Sequence, residues 1–344
     1  MQIAAPPPNS ETVMPIGRRY RVERDYEVGR EKIREFARAI QNYHPVHFDE
    51  NEARRHGYPG LLAPPTFVSL LGGTAQQALS ALLPEVDLAW AVQTDQVVHL
   101  HRPVVVGDTL TCVLSLCSFR RAFGGDLLVV ENEVRNQRGE RAITAHTSFT
   151  TRSDAPEDDS DIATLMPRLL RHDVGRTHLP LPALVPLEAA PEDHTDESWN
   201  AHPLARPYAS TNVGDQLPER IFRLSLGDLV NYAGVSGDPN PIHWHRTAAT
   251  TLGLDDTVAH GMLTMGLGAG FLADWAGDPG AIRQYSVRMT SPVYVSETEE
   301  RAEVVFAGRI KSMDPNSRTA QINLTATRGT RRVFGRATAI VRLP

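Results

Sequence analysis

Cysteine is almost missing from the chain: 344 residues contain only Cys112 and Cys117. That excludes a disulfide framework and fits a reducing compartment, so the sequence predicts a cytoplasmic protein. In "TCVLSLCSF" the two stand five apart, which on a strand sends them to opposite faces and prevents a local bridge. Both are expected to be buried, inert thiols. Excess charge of either sign is also missing. The formal net charge is −6, too mildly acidic for nucleic acid or an anionic membrane surface to be the main partner. No run of about 18 apolar residues occurs, so no membrane span is expected. "MQIAAPPPNSETVMP" lacks a basic n-region and an apolar h-region, and residues 1–13 are expected to form a disordered arm rather than a signal peptide.

What is present is a duplication. Setting "REFARAIQNYHPVHF" over "NYAGVSGDPNPIHW" with His47 on His243 also aligns Pro45 with Pro241, Val46 with Ile242 and Phe36 with Tyr232. The same offset, carried on without a gap, lays "LLAPPTF" on "TVAHGML" and Ala63 on Ala259. Two units follow, 14–152 and 212–344. Between them, 153–211 holds 8 of the 25 prolines and two acidic patches, "PEDDSD" and "PEDHTDE". Without apolar periodicity this stretch reads as a linker, with one short helix possible in "IATLMPRLLRH".

Each unit opens with a short strand and a small helix that runs into the His-bearing loop. A helix apolar nearly all round comes next, "FVSLLGGTAQQALSALL" in the first and "MLTMGLGAGFLADWAG" in the second. A helix with no polar face is a buried one. Gly266, Gly268 and Gly270 each cost it about 1 kcal/mol against alanine, which implies close approach of a neighbour. Four strands follow in each unit: "VVHLHRPVVV", "LTCVLSLCSF", "DLLVVENEVRN" and "AITAHTSFTTR", then "YSVRMTSPVYV", "RAEVVFAGRIKSM", "TAQINLTATRG" and "VFGRATAIVRL". The fold class is α+β, two units each with an antiparallel sheet wrapped around a central buried helix.

The chemistry is concentrated in "GVSGDPNPIHWH". Pro239 and Pro241 stiffen the loop that carries Asp238, Asn240 and His243, and the Asn240 amide can brace its backbone. Shortly afterwards Gly261 opens the buried helix in "AHGMLTMG". A helix start offers free N–H groups and partial positive charge to a developing oxyanion, and glycine lets a carbonyl approach. An acid/base loop beside such a donor suits proton removal next to a thioester carbonyl.

"YAGVSGDPNPIHW" resembles the signature of (R)-specific enoyl-thioester hydratases and dehydratases, the MaoC-like branch of the hot-dog superfamily, and "AHGMLTMG" is similar to that family's oxyanion helix start. "REKIREFARAIQN" with "GLLAPPTF" resembles the A subunit of the actinobacterial (3R)-hydroxyacyl-ACP dehydratase. "VGDQLPE", "DLVNYAGVSGDPNPIHW", "RIKSMDP" and "RRVFGRA" resemble its B subunit. The resemblance implies a double hot-dog formed by fusion of the two subunits, a hydro-lyase without cofactor or metal. Its substrate would be an acyl thioester on acyl carrier protein or coenzyme A, and the fused chain could form a homodimer. Asp238 and His243 would be the catalytic pair, Gly261 the oxyanion donor, and Asn240 and His260 loop support. Arg288 and Arg102, each just upstream of a strand proline, are candidates to meet a phosphopantetheine or carrier phosphate.

The first copy departs from this pattern. Asn42 stands for Asp238, Tyr43 and His44 for Pro239 and Asn240, and Pro65, which has no N–H, for Gly261. The first unit is therefore expected to be catalytically degenerate, with His47 structural and the unit serving to enclose the acyl chain. His243 and His245 form an H-x-H pair, but without a third soft ligand no metal is expected. A carrier-protein dehydratase in fatty acid elongation, a coenzyme A hydratase and a non-catalytic acyl-binding module remain as readings. The presence of Asp238, His243 and Gly261 together disfavours the last.

Overall fold

A computed structural model describes residues 16–72, 91–122, 125–152, 183–188, 204–298 and 301–344, with isolated positions at 83, 165 and 168–169. Its strands are β1 (Arg19–Val22), β2 (Tyr26–Glu27), β3 (Val92–Leu100), β4 (Thr109–Ala122), β5 (Gly125–Arg135), β6 (Arg141–Arg152) and β7 (Leu184–Leu187). In the second half come β8 (Gln216–Leu224), β9 (Ile282–Met289), β10 (Ala302–Asp314), β11 (Thr319–Arg328), β12 (Arg331–Arg332) and β13 (Phe334–Arg342). They form one sheet in the order β7-β1-β4-β5-β6-β3-β9-β13-β11-β10-β8, with β2 on β4 and β12 on β11. The halves meet at β3 and β9, which pair antiparallel from Asp95↔Arg288 to His99↔Gln284. Each half thereby loses the sheet edge it would otherwise expose.

The helices are α1 (Arg30–Ala39), α2 (Glu50–Arg55), α3 (Leu226–Ser236), α4 (Arg246–Thr251) and α5 (Gly261–Ala276). α5 is the buried helix of the second half, with twelve of its residues out of solvent. It ends where Gly277 takes φ +74, the left-handed cap that glycine adopts without strain. Its three internal glycines face different neighbours. A Cβ on Gly268 would strike the Tyr285 hydroxyl and Phe306 of the sheet. On Gly266 it would lie 2.6 Å from Ile40 Cγ2, and on Gly270 3.3 Å from Asn42 Cβ. The close approach implied by these glycines is thus to the sheet on one side and to the first half on the other. In the first half, Ser69–Gly72 are helical, Phe67 and Val68 form the turn before them, and residues 73–82 of the helix expected there lie outside the described residues.

Three expectations need correction. The segment 153–211, read as a linker, supplies β7, which pairs with β1 from Arg19↔Leu187 to Val22↔Leu184. Pro186 is tolerated because, among the described residues, β7 is the outermost strand and one of its sides has no ladder to complete. Further on, the Arg206 amide donates to the Ala276 carbonyl at 2.7 Å and its guanidinium lies over Trp275, closing the end of α5. The proposed helix in "IATLMPRLLRH" falls almost wholly outside the described residues. Secondly, "VVHLHRPVVV" is not one strand. β3 ends at Leu100, and after Pro103 the chain turns to serve the segment before the helix, where Ala63 donates to Val104. The second half repeats this after Pro292, with Ala259 donating to Val293. Thirdly, Cys112 is buried, its thiol donating to Asn132 Oδ1, but Cys117 is exposed. It occupies a break in the β4–β5 register between Leu116 and Ser118.

Candidate active site

The site begins where α3 ends. Gly237 caps that helix at φ +77 and releases the chain into Asp238–Asn240. The loop is braced from within. Asn240 Oδ1 accepts from the Ile242 amide at 3.3 Å, the Asn240 amide donates to Asp238 Oδ1 at 3.3 Å, and Trp244 Nε1 donates to the Pro239 carbonyl at 3.1 Å. A single 3₁₀ turn, Pro241–His243, then drives the imidazole inward. His245 Nδ1 accepts from the Ala248 amide and caps α4.

His243 is buried, and its Nδ1 lies 2.6 Å from the Val258 carbonyl oxygen. A carbonyl only accepts, so Nδ1 carries the proton and the neutral ring keeps its lone pair on Nε2. Nε2 faces Asp238 Oδ2 at 3.9 Å, too long for a hydrogen bond but close for an opposite charge. Burial depresses the His243 pKa, while the Asp238 carboxylate and the Val258 carbonyl act in the opposite direction. The Asp238 side chain is 52% exposed, so the pair straddles the boundary between interior and solvent.

His260 stacks on His243 with ring centroids 3.5 Å apart. Its Nε2 donates to the Asp238 main-chain oxygen at 3.3 Å, and its Nδ1 is buried without a hydrogen-bond partner among the described residues. Burial, with His243 alongside, pushes its pKa down to about 2, so the ring stays neutral. His260 is the residue before α5, and Gly261 is the first of the helix. The side of Gly261 where a Cβ would project is filled by the Met289 thioether of β9, with Cε at 2.9 Å. The glycine therefore admits Met289 on that side, and what remains for a ligand is its N–H at the helix start.

Asp238, Asn240, His243, His260 and Gly261 thus come together in one place. The two arginines do not. Arg288 is exposed on β9 opposite Asp95, pointing off the other face of the strand from its neighbour Met289. Arg102 pairs with Glu140 at 3.4 Å and lines a cavity with Pro65, Pro279 and Gly280. That places it beyond the far end of α5, a helix of about 24 Å. Sequence reasoning missed Val258 and Met289. The first acts through its main chain, and the second reaches Gly261 from a separate strand, so neither leaves a local signal.

The first-copy loop has the same frame with different contents. His47 Nδ1 faces the Leu62 carbonyl at 2.7 Å, but its Nε2 lies 3.1 Å from the Asn42 amide nitrogen. Asn42 is 1% exposed and packs on Gly270 of α5. The lone pair that stays open in His243 is here taken up by an amide donor. Pro65 occupies the position of Gly261 and lines the cavity that holds Arg102.

Comparison with known proteins follows the same division. Residues 15–145 match the model of a FAS1-like dehydratase domain region, and 211–327 that of a MaoC-like domain. A UPF0336 protein of Mycobacterium tuberculosis is 39% identical over 142 residues, 40% of this chain and 88% of that protein. A solved structure described as a MaoC-like dehydratase is 41% identical, with a TM-score of 0.85 over 96% of this chain and 99% of that one. Another M. tuberculosis protein, described as having a double hotdog fold, aligns over 95% of this chain and 96% of its own with a TM-score of 0.61 at 13% identity, which shows the shared fold.

Proposed function

The chain belongs to the MaoC-like dehydratases, and from that premise we propose that its second half moves water across the 2,3 bond of an (R)-3-hydroxyacyl thioester. In this reading Asp238 and His243 are the catalytic groups, and the Gly261 N–H receives the thioester oxygen as negative charge develops on it. Elimination takes a proton from C2 and delivers one to the departing C3 hydroxyl; hydration reverses both transfers. His243 Nε2 is a free acceptor, and Asp238 at 3.9 Å can hold the complementary proton. So close a pair shares its protons as a unit, and the transfers are assigned to the pair. Asn240 and the stacked His260 hold it in position.

The observation that carries this reading is the contrast at Nε2, left open beside a half-exposed carboxylate in one loop and capped by a buried amide in the other. The first half, about 14–152, is then a catalytically silent partner that packs on the catalytic unit, about 212–344, and helps to enclose the acyl chain. Resemblance of the two halves to the subunits of a carrier-protein dehydratase supports acyl carrier protein as the carrier and fatty acid elongation in the cytoplasm as the setting. No helix among the described residues is long and apolar enough to cross a membrane.

The test is turnover of matched trans-2-enoyl thioesters on coenzyme A and on acyl carrier protein, at several chain lengths, with the product resolved by handedness. The (R)-3-hydroxyacyl product, formed faster from the carrier protein and from chains longer than four carbons, is expected. Predominantly (S) product, or no turnover on either carrier, overturns the assignment. Faster turnover of the coenzyme A series moves the enzyme to a hydratase role and leaves the site intact.

A further inference from the structure

Away from the water-handling loop, the outer face of the first half's sheet carries three groups to which that chemistry gives no role. Cys117 stands on β4, Glu131 on β5 and His146 on β6. Glu131 and His146 are directly opposed partners in the ladder, and Cys117 falls in the register break that frees it from regular pairing. His146 Nε2 is 3.1 Å from Glu131 Oε2, and the thiol sulfur, a ring nitrogen of His146 and a carboxylate oxygen of Glu131 all lie within 4.8 Å of one another. We propose that Cys117, Glu131 and His146 bind a zinc ion, with water completing a tetrahedral shell.

The donor set selects the metal. A thiolate, an imidazole and a carboxylate suit zinc, whereas magnesium and calcium require oxygen ligands throughout. Zinc holds sulfur at about 2.3 Å and nitrogen or oxygen at about 2.0–2.2 Å, which places ligand atoms in a tetrahedron roughly 3.2–3.7 Å apart. The His146–Glu131 separation is already close to that spacing, and an exposed Cys117 side chain needs to close by roughly 1.5 Å at most. On binding, the thiol releases its proton to solvent. An outer shell is also in place. Arg19 lies 3.7 Å from the second oxygen of Glu131, Ser115 Oγ 3.8 Å from the Cys117 sulfur, and the His99 ring stands edge-on to His146. A plain cross-strand ion pair explains Glu131 and His146; it does not explain a cysteine within reach of both.

The experiment uses the full chain, stripped with chelator and titrated with zinc, then with cobalt as a spectroscopic substitute. One ion per chain is expected, with thiolate-to-cobalt charge-transfer absorption that disappears in Cys117→Ser. Cys117→Ser and His146→Ala should each weaken zinc binding at least tenfold while hydratase turnover stays within twofold of the parent, which also verifies folding. Because Cys112 is buried, reaction of the native chain with a disulfide reagent reports Cys117, and zinc should slow it at least tenfold. Absence of stoichiometric binding at micromolar zinc overturns the proposal. So does binding that Cys117→Ser leaves unchanged, which would place the ion elsewhere, Asp238, His243 and His260 being the other described cluster within ligating reach.

Discussion

The loops around His47 and His243 hold the same imidazole in the same way and differ in what stands opposite its second nitrogen. Each ring gives its Nδ1 proton to a main-chain carbonyl fifteen residues on, Leu62 in one and Val258 in the other. Each turn is braced by the side chain before it, His44 accepting from Val46 and Asn240 from Ile242. What distinguishes them is polarity and access. Asn42 is an amide sealed against Gly270, whereas Asp238 is a carboxylate half open to solvent. The frame therefore belongs to the fold, and in the proposed reading the chemistry rests on one side chain and its exposure.

The largest expected effect comes from making the second loop resemble the first. Asp238→Asn should lower kcat/KM by about 10²–10⁴-fold, the usual worth of a positioned acid or base, while the thermal midpoint moves by only a few degrees. The amide can donate to His243 Nε2 as Asn42 does to His47, which blocks the acceptor without unsettling the turn. Steady-state kinetics beside a melting curve reads both quantities, and parent-like turnover would remove Asp238 from the mechanism. Combining it with His243→Ala should cost little more than either alone, because residues acting as a unit do not add. The reverse substitution, Asn42→Asp, should destabilise the chain and confer no activity on an Asp238→Asn background, since it buries a carboxylate where no solvent reaches.

The second comparison separates activity from stability. His243→Ala should cost a rate factor similar to that of Asp238→Asn. His47→Ala should cost less than tenfold in kcat but about 2–4 kcal/mol in stability, because it strands the Leu62 carbonyl and the Asn42 amide in the interior. Denaturant titrations of the two variants give the answer. Equal loss of rate in both would mean that both halves contribute to chemistry, and the one-site reading would fall.

Why these loops could be matched in the sequence, while other features could not, has a physical basis. Prolines, turn residues and an ungapped offset from Phe36/Tyr232 to Ala63/Ala259 encode backbone geometry locally, so the duplication and the Asp238–His243 loop were legible. The glycines of α5 announced close approach because their helix propensity is poor. Their neighbours Ile40 and Asn42 are more than two hundred residues distant, and no local pattern names them. β7 was not legible because a four-residue edge strand containing Pro186 has neither the length nor the periodicity of a strand. Cys117 reads as a core thiol because a register break between Leu116 and Ser118 leaves no mark in the sequence. Arg102 and Arg288 share a proline signal, which marks the ends of two pseudo-equivalent strands and places the two side chains apart.

Acid sensitivity offers a smaller difference. Burial depresses His47 to about 3, against about 6.5 in an unfolded chain. Above pH of about 6.5 neither state binds the proton and the full stability is present. As pH falls below that value the unfolded chain takes up a proton that the folded chain refuses, so stability is lost at about 1.4 kcal/mol per pH unit until the folded value is reached. His47→Gln removes that dependence and should flatten the acid limb of a stability–pH curve. His243→Gln should flatten it less, because Asp238 opposes the depression there. An acid limb identical to the parent's in His47→Gln would show that the ring is already charged in the folded protein.

The smallest effects test how closely the halves are fitted through α5. Alanine recovers about 1 kcal/mol of helix propensity at an interior glycine, so the sign of each substitution depends on the neighbour it meets. At Gly266 the new methyl would lie 2.6 Å from Ile40 Cγ2 and 2.9 Å from its Cβ, and a β-branched side chain near the end of α1 has little room to turn away. Overpacking of this kind costs about 1–3 kcal/mol, so Gly266→Ala should be net destabilising. At Gly270 the nearest atom is Asn42 Cβ at 3.3 Å, a contact relieved by a few tenths of an ångström. There the propensity gain and the displacement should cancel to within about 0.5 kcal/mol. Gly270→Ala has a second use, because it presses on the residue that takes up the lone pair of His47 and touches nothing in the catalytic loop. Turnover should match the parent. A measurable loss of rate would mean that the first half transmits its packing to Asp238 and His243, and the division into a silent half and a chemical half would have to be redrawn.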